Sequence, residues 1–243
     1  MRLACLAAGL LWFASGAAET LYRLPWADAR SFMFTQVPGG QITSHFTKAT
    51  LHAVDIAMPE GVSIVAARAG IVEAVEARHG RTPEEEPVTY EGNFVRVRHA
   101  DGTAATYAHL KYGGVAVALG EAVELGRLLG YSGATGDAEY PHLHFVVTRT
   151  RTNSGGWPEE VSLPVTFYVG VPPVAFAPRA AVRVQADYSR PGKMPWAVSE
   201  APRFNWQRPV LDSAEEARAW AVLGLWLLAC AAALAWFWRF ARR

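Results

Sequence analysis

The chain is 243 residues long, 51% apolar and close to neutral, with 23 Lys and Arg against 22 Asp and Glu. That length holds one medium domain with appendages and a sizeable core, and the balanced charge gives no footprint of a phosphate-neutralising basic face, so no nucleic-acid partner is expected. The two cysteines, Cys5 and Cys230, both sit in apolar terminal runs, so the body between them has no disulfide framework and a metal site there must use nitrogen and oxygen ligands.

The N-terminus has Arg2, an almost unbroken apolar run from Leu3 to Ala14, and the small residues Ser15, Gly16, Ala17 and Ala18. A basic start, a short apolar stretch and a small-residue end predict a signal peptide over 1–18, cleaved near Ala17 or Ala18. The body then reads as short strands and turns. Residues 62–67, 71–77, 94–99, 104–110 and 142–148 are rich in β-branched or alternating apolar residues. Asp101-Gly102 predicts a hairpin turn between two of them. Gly61, Gly70, Gly120, Gly126, Gly130, Gly133 and Gly136 are expected to supply positive φ where strands reverse. No long amphipathic helix interrupts this pattern and no internal repeat is present.

Residues 79–91, with Pro83, Glu84, Glu85, Glu86 and Pro87, read as a solvent-exposed hairpin insertion, in which His79 is expected to be solvated. Beyond residue 148 the texture changes. Residues 151–188 read as a small accessory β extension, with strand-like islands at 161–169 and 181–186, followed by a Pro- and Trp-containing stalk over 189–213. Trp196, Phe204 and Trp206 in that stalk are expected to pack against the domain. Residues 220–238 carry no charge, are long enough to cross a bilayer and have tryptophans towards both ends, so 219–238 is predicted to be a transmembrane helix. Arg239, Arg242 and Arg243 form a basic tail over 239–243 that is retained on the cytoplasmic side, leaving the body facing out.

The chemistry-bearing residues lie within the body. In Pro141-His142-Leu143-His144-Phe145 two imidazoles one residue apart on a strand project from the same face. A second strand-like run, 104–110, offers His109, and a third region offers His45, His52 and Asp55. Together these supply enough ligands for a metal and enough bases for hydrolysis. His99, ahead of the Asp101-Gly102 turn, is read as structural, bonding the hairpin backbone. Asn93 is read as fixing a turn. Tyr107 is either a groove-lining residue or a core tyrosine.

The order of these features, namely Asp55 before Pro59 and Gly61, the run from Val62 to Val72, Tyr107-Ala108-His109-Leu110, Ser132-Gly133, Thr135-Gly136 and His142-Leu143-His144, resembles the M23 (lysostaphin-type, LytM) metallopeptidases across roughly residues 36–148. The resemblance implies a mainly β fold, a small antiparallel β-sheet metallopeptidase domain with an open groove over 30–150, acting on peptidoglycan peptides. It implies Zn2+ as cofactor, with Asp55 and His144 as ligands and His109 and His142 as unligated catalytic histidines. Zinc in such a site keeps an open position for water.

The third ligand departs from the usual pattern, because the position four before Asp55 is Leu51. His52, three before Asp55, would point away from it in a regular strand, although a bulge would bring it back. His45, preceded by Ser44, matches a Ser-His branch of the family and is the preferred ligand, with His52 its rival. The reading that results is a single-pass zinc endopeptidase of the bacterial cytoplasmic (inner) membrane, its catalytic domain on the periplasmic or extracellular side. A catalytically silent module that binds wall peptides or regulates another hydrolase is the alternative, and a protease of exported proteins shares the chemistry.

Overall fold

The computed structural model describes residues 20–40, 43–80 and 92–196. The predicted signal peptide, the membrane span with its basic tail, most of the 79–91 insertion, and Phe204 and Trp206 lie outside these. The described residues form strands and turns without helix, so none of their helices is long and apolar enough to cross a membrane.

The centre of the molecule is β10 (His142–Thr152), flanked on one side by β3 (Val54–Ala57) and on the other by β7 (Thr103–Val115), both antiparallel to it. Period-2 alternation sorts the side chains of β10. Leu143, Phe145 and Val147 enter the hydrophobic core, while His142 and His144 take the opposite face. From β7 the sheet continues through β6 (Asn93–Arg98) and β5 (Gly70–Glu76) to β8 (Ala122–Val123). From β3 it continues through β2 (Ser31–Gln36) to β14 (Arg183–Gln185). β4 (Ser63–Val65) and β9 (Leu128–Ser132) pair with each other and join at β7, and β11 (Pro158–Leu163) pairs with the far half of β10.

A separate three-stranded sheet of β1 (Leu21–Arg23), β12 (Thr166–Val169) and β13 (Val174–Phe176) covers the core, with β1 and β12 parallel. Phe34 and Phe145 of the large sheet meet Phe167 of the small one at centroid distances of 5.7 and 5.6 Å, and Trp26 closes on Phe32 and Phe34. The segment expected as an accessory extension is thus woven into the main body. β11 extends β10, β12 pairs with an N-terminal strand, and β14 borders β2. Trp196 packs edge-on against Phe176 at 5.5 Å beneath the Arg179 guanidinium.

The Asp101-Gly102 turn joins β6 to β7 as expected. Gly102 has a φ of +78°, and the Asp101 carboxylate accepts hydrogen bonds from the amide and hydroxyl of Thr103. Not every glycine acts through positive φ. Gly61, Gly120, Gly126 and Gly136 do, but Gly70, Gly130 and Gly133 do not. A Cβ on Gly133 would stand 2.6 Å from the Lys111 backbone, so this glycine lets one chain segment press against another.

Candidate metal centre

Asp55 lies directly opposite His144 in the β3–β10 pairing, and His142 lies opposite Ala57. Opposed residues in an antiparallel pair share a face, so register alone turns the Asp55 carboxylate and both imidazoles of β10 into one cleft. His144 Nδ1 is 3.0 Å from Asp55 Oδ1. His45 comes from the segment between β2 and β3, and its Nε2 is 3.3 Å from the same oxygen. That segment is tied down by Gln36, whose side-chain oxygen accepts the Ser44 amide at 2.7 Å. Gln36 itself faces Asp55 across the β2–β3 ladder.

One donor atom from each of His45, Asp55 and His144 falls within 4.8 Å of the others, with His45 and Asp55 buried. Asp55 is 2% exposed. Burial alone would raise its pKa, yet hydrogen bonds and charge from His144 and His45 outweigh this and hold the carboxyl well below the usual carboxylate range. A buried carboxylate ringed by imidazoles, with no lysine or arginine among the described residues lining its cleft, has the donor chemistry that a small divalent cation of the zinc type takes. His45 Nδ1, buried with no hydrogen-bond partner, leaves that ring held through its Nε2 side alone.

His52 is elsewhere. It sits in a turn ahead of β3, its amide donates to Ser162 Oγ at 3.0 Å, and its Nδ1 is 3.1 Å from the Ser162 carbonyl oxygen. The strand-parity argument does not reach this residue, because β3 begins only at Val54.

His109 and His142 flank the triad, their rings 4.6 Å apart. His142 Nδ1 is 2.9 Å from the Tyr140 carbonyl oxygen, and His109 Nδ1 is 2.8 Å from that of Thr135. A carbonyl can only accept, so both rings carry a proton on Nδ1, and Nε2 is the nitrogen left outside that bond. His142 Nε2 is 3.8 Å from Asp55 Oδ1. Burial, followed by the neighbouring His142, pushes the His109 imidazole down to about 4, so it is a neutral base at physiological pH. The cleft around these groups measures about 540 Å³ and is lined in part by Asp137, Glu139 and Tyr140. A second cleft of about 780 Å³ continues from His109 and His144 along the sheet floor past Thr106, Arg96 and Glu160. The two form one open groove through the centre.

Three other readings are settled by position. Tyr107 is fully buried and its hydroxyl accepts the Ala67 amide at 2.8 Å, so it is a core tyrosine. His79, expected in solvent, is buried at 3% exposure, with its backbone clasped by the Asn93 side chain. The polar sequence after it carried no information about the fold of its own residue. His99 is buried and donates through Nδ1 to the Ala69 carbonyl, while its backbone closes the β6–β7 hairpin. Sequence reasoning missed Gln36 and Tyr140, which position His45 and His142 through contacts that no local spacing announces.

An antiparallel β body with an open groove and a His-Asp-His cluster at its centre defines a hydrolase-like site. The model of peptidase family M23 matches residues 50–155, and this segment of the chain is a domain of that family. The match takes in Asp55, His109, His142 and His144 and begins beyond His45. The peptidoglycan DD-endopeptidase ShyC of Vibrio cholerae is 29% identical over 150 residues, covering 57% of this chain and 31% of that protein. The DD-carboxypeptidase/endopeptidase Mpg of Neisseria meningitidis is 32% identical over 132 residues, covering 54% of this chain and 26% of that protein. The chain therefore spans less than a third of the length of these curated relatives. Among solved structures, lysostaphin from Staphylococcus simulans superposes with a TM-score of 0.40 at 23% identity, over 57% of this chain and 50% of that one.

Proposed function

We propose that the chain is a zinc-dependent endopeptidase that hydrolyses peptide bonds of peptidoglycan, tethered to the outer face of the bacterial cytoplasmic membrane. The observation that carries this reading is the convergence of His45, Asp55 and His144 beside two imidazoles, His109 and His142, each held through Nδ1 by a backbone carbonyl. The peptidoglycan-directed names of the curated relatives support the substrate class. The charge-free run 220–238 followed by arginines supports the tether.

In this reading His45, Asp55 and His144 hold the ion. Bound zinc supplies a Lewis acid and lowers the pKa of water towards neutrality. His109 and His142, each fixed as the Nδ1–H form, offer Nε2 lone pairs to receive a proton and afterwards return it to the departing amine. Their partners, the Thr135 and Tyr140 carbonyls, keep those lone pairs aimed into the cleft. The open groove accommodates an extended peptide on either side of the centre.

Digestion of purified peptidoglycan by the full chain, followed by mass analysis of the released muropeptides, tests the reading. New amine ends are expected that disappear with chelator and return with added zinc. Retention on peptidoglycan without any metal-dependent cleavage would favour the silent binding module instead. Cleavage of unfolded proteins but not muropeptides would reassign the substrate.

A further inference from the structure

His109 occupies an irregular place in β7. In the β6–β7 ladder Asn93 pairs with Leu110 and the next pair is Phe94 with Ala108, so His109 is one extra residue with no partner on β6. The pairing of β7 with β10 stops at Ala108, opposite His144. At this single-residue bulge His109 has a φ of +62°, a strained conformation for most side chains that is normally left to glycine. A strained backbone persists only where its surroundings over-determine it.

The surroundings here are a buried polar knot. Thr135 Oγ1 donates to the Leu110 carbonyl at 2.7 Å and accepts the Asn93 amide at 2.9 Å, joining the residue after the bulge to the strand opposite. Asn93 Nδ2 donates to the same Leu110 carbonyl at 3.3 Å and to the His79 carbonyl at 2.8 Å, and its Oδ1 accepts the His79 amide. The Thr135 carbonyl then accepts His109 Nδ1–H. Gly92 completes the arrangement, since a Cβ there would stand 2.8 Å from the Thr135 carbonyl oxygen and 3.4 Å from His109 Nδ1.

We propose that Thr135 and Asn93 are positioning residues: they hold His109 on a left-handed β-bulge, so that its imidazole leaves the plane of the β7 ladder and presents Nε2 to the His45–Asp55–His144 cluster. In a regular strand the residue after Ala108 would take the face opposite to it, whereas Ala108 and His109 both line the groove. The bulge is what places them side by side. Thr135 acts twice, through its hydroxyl on the backbone at Leu110 and through its carbonyl on the ring. This inference rests on the assignment of His109 as a base.

The test compares full-chain Thr135→Val, Thr135→Ser, Gly92→Ala and His109→Ala on muropeptide substrate, with zinc content and melting temperature measured in parallel. Thr135→Val and Gly92→Ala are expected to lower kcat by about 10- to 100-fold, because misplacement of a reacting group by about 1 Å is enough for that loss. KM and zinc content stay close to the parent, and Thr135→Ser, which keeps the hydroxyl, recovers most of kcat. Imidazole 15N shifts give a second readout, a single Nδ1–H form of His109 in the parent and a mixture of tautomers in Thr135→Val. If Thr135→Val does not fold, Gly92→Ala decides from the other side of the same hydrogen bond. Unchanged kcat and tautomer in the folded variants, with His109→Ala inactive, would overturn the positioning role and leave the base standing. An active His109→Ala would remove the base assignment and the inference with it.

Discussion

His45 and His52 show how far a residue type leads without its surroundings. Both are imidazoles near Asp55 in sequence, yet His45 Nε2 is 3.3 Å from the carboxylate while His52 is committed to Ser162 on β11. With His45 as ligand, His45→Ala is expected to lose bound zinc, with affinity falling by several orders of magnitude, because a structural or catalytic zinc needs at least three protein ligands. His52→Ala is expected to keep stoichiometric zinc and to lose only the stability of its Ser162 contacts, about 1 kcal/mol. Metal analysis of the two purified variants checks this, and full zinc in His45→Ala would reverse the assignment. Tyr107 carries the same lesson. Its position two residues before His109 left groove and core equally open; the bulge at His109 breaks the alternation, and Tyr107 is a core residue bonded to Ala67.

Among the elements, the β6–β7 hairpin was the most legible, because Asp101 and Gly102 determine their turn locally, through a carboxylate that accepts the Thr103 amide and a glycine at positive φ. Its buried histidine has a consequence for stability. His99 is 1% exposed, and burial, only partly offset by the bond to Ala69, lowers its imidazole below the usual histidine range. The folded chain therefore binds fewer protons here than the unfolded chain once pH drops below about 6.5. Stability is full above that pH and declines as pH falls from it towards the lower folded value. Urea unfolding is expected to show lower stability at pH 5.5 than at pH 7.5, with part of the loss attributable to this group. His99→Gln, which does not titrate, is expected to flatten that part of the profile. An equal pH dependence in the variant would place the effect elsewhere. β10 was also readable, since the two-residue period that puts Leu143 and Phe145 in the core puts His142 and His144 in the groove.

At the scale of the whole molecule, the cluster is assembled from segments that only the sheet brings together. Asp55 comes from β3, His144 from β10, and His45 from a segment held by Gln36 of β2. An ion bound there joins all three, so its removal is expected to lower thermal stability as well as activity. If zinc is present at about 1,000 times its dissociation constant, the linkage is worth roughly 4 kcal/mol. Calorimetry before and after chelation is expected to show a drop of several degrees in melting temperature, restored by zinc and absent in Asp55→Ala. The sequence by itself determined the β character, the pairing of His142 with His144 on one face, the Asp101-Gly102 hairpin and the restriction to nitrogen and oxygen ligands, because strand parity, turn chemistry and composition act over a few residues. Tertiary structure alone decided that His45 rather than His52 meets Asp55, that His79 is buried, and that residues 158–185 extend the main sheets. Those outcomes depend on which strands pair and in what register, and that is set by burial of a core drawn from the whole chain.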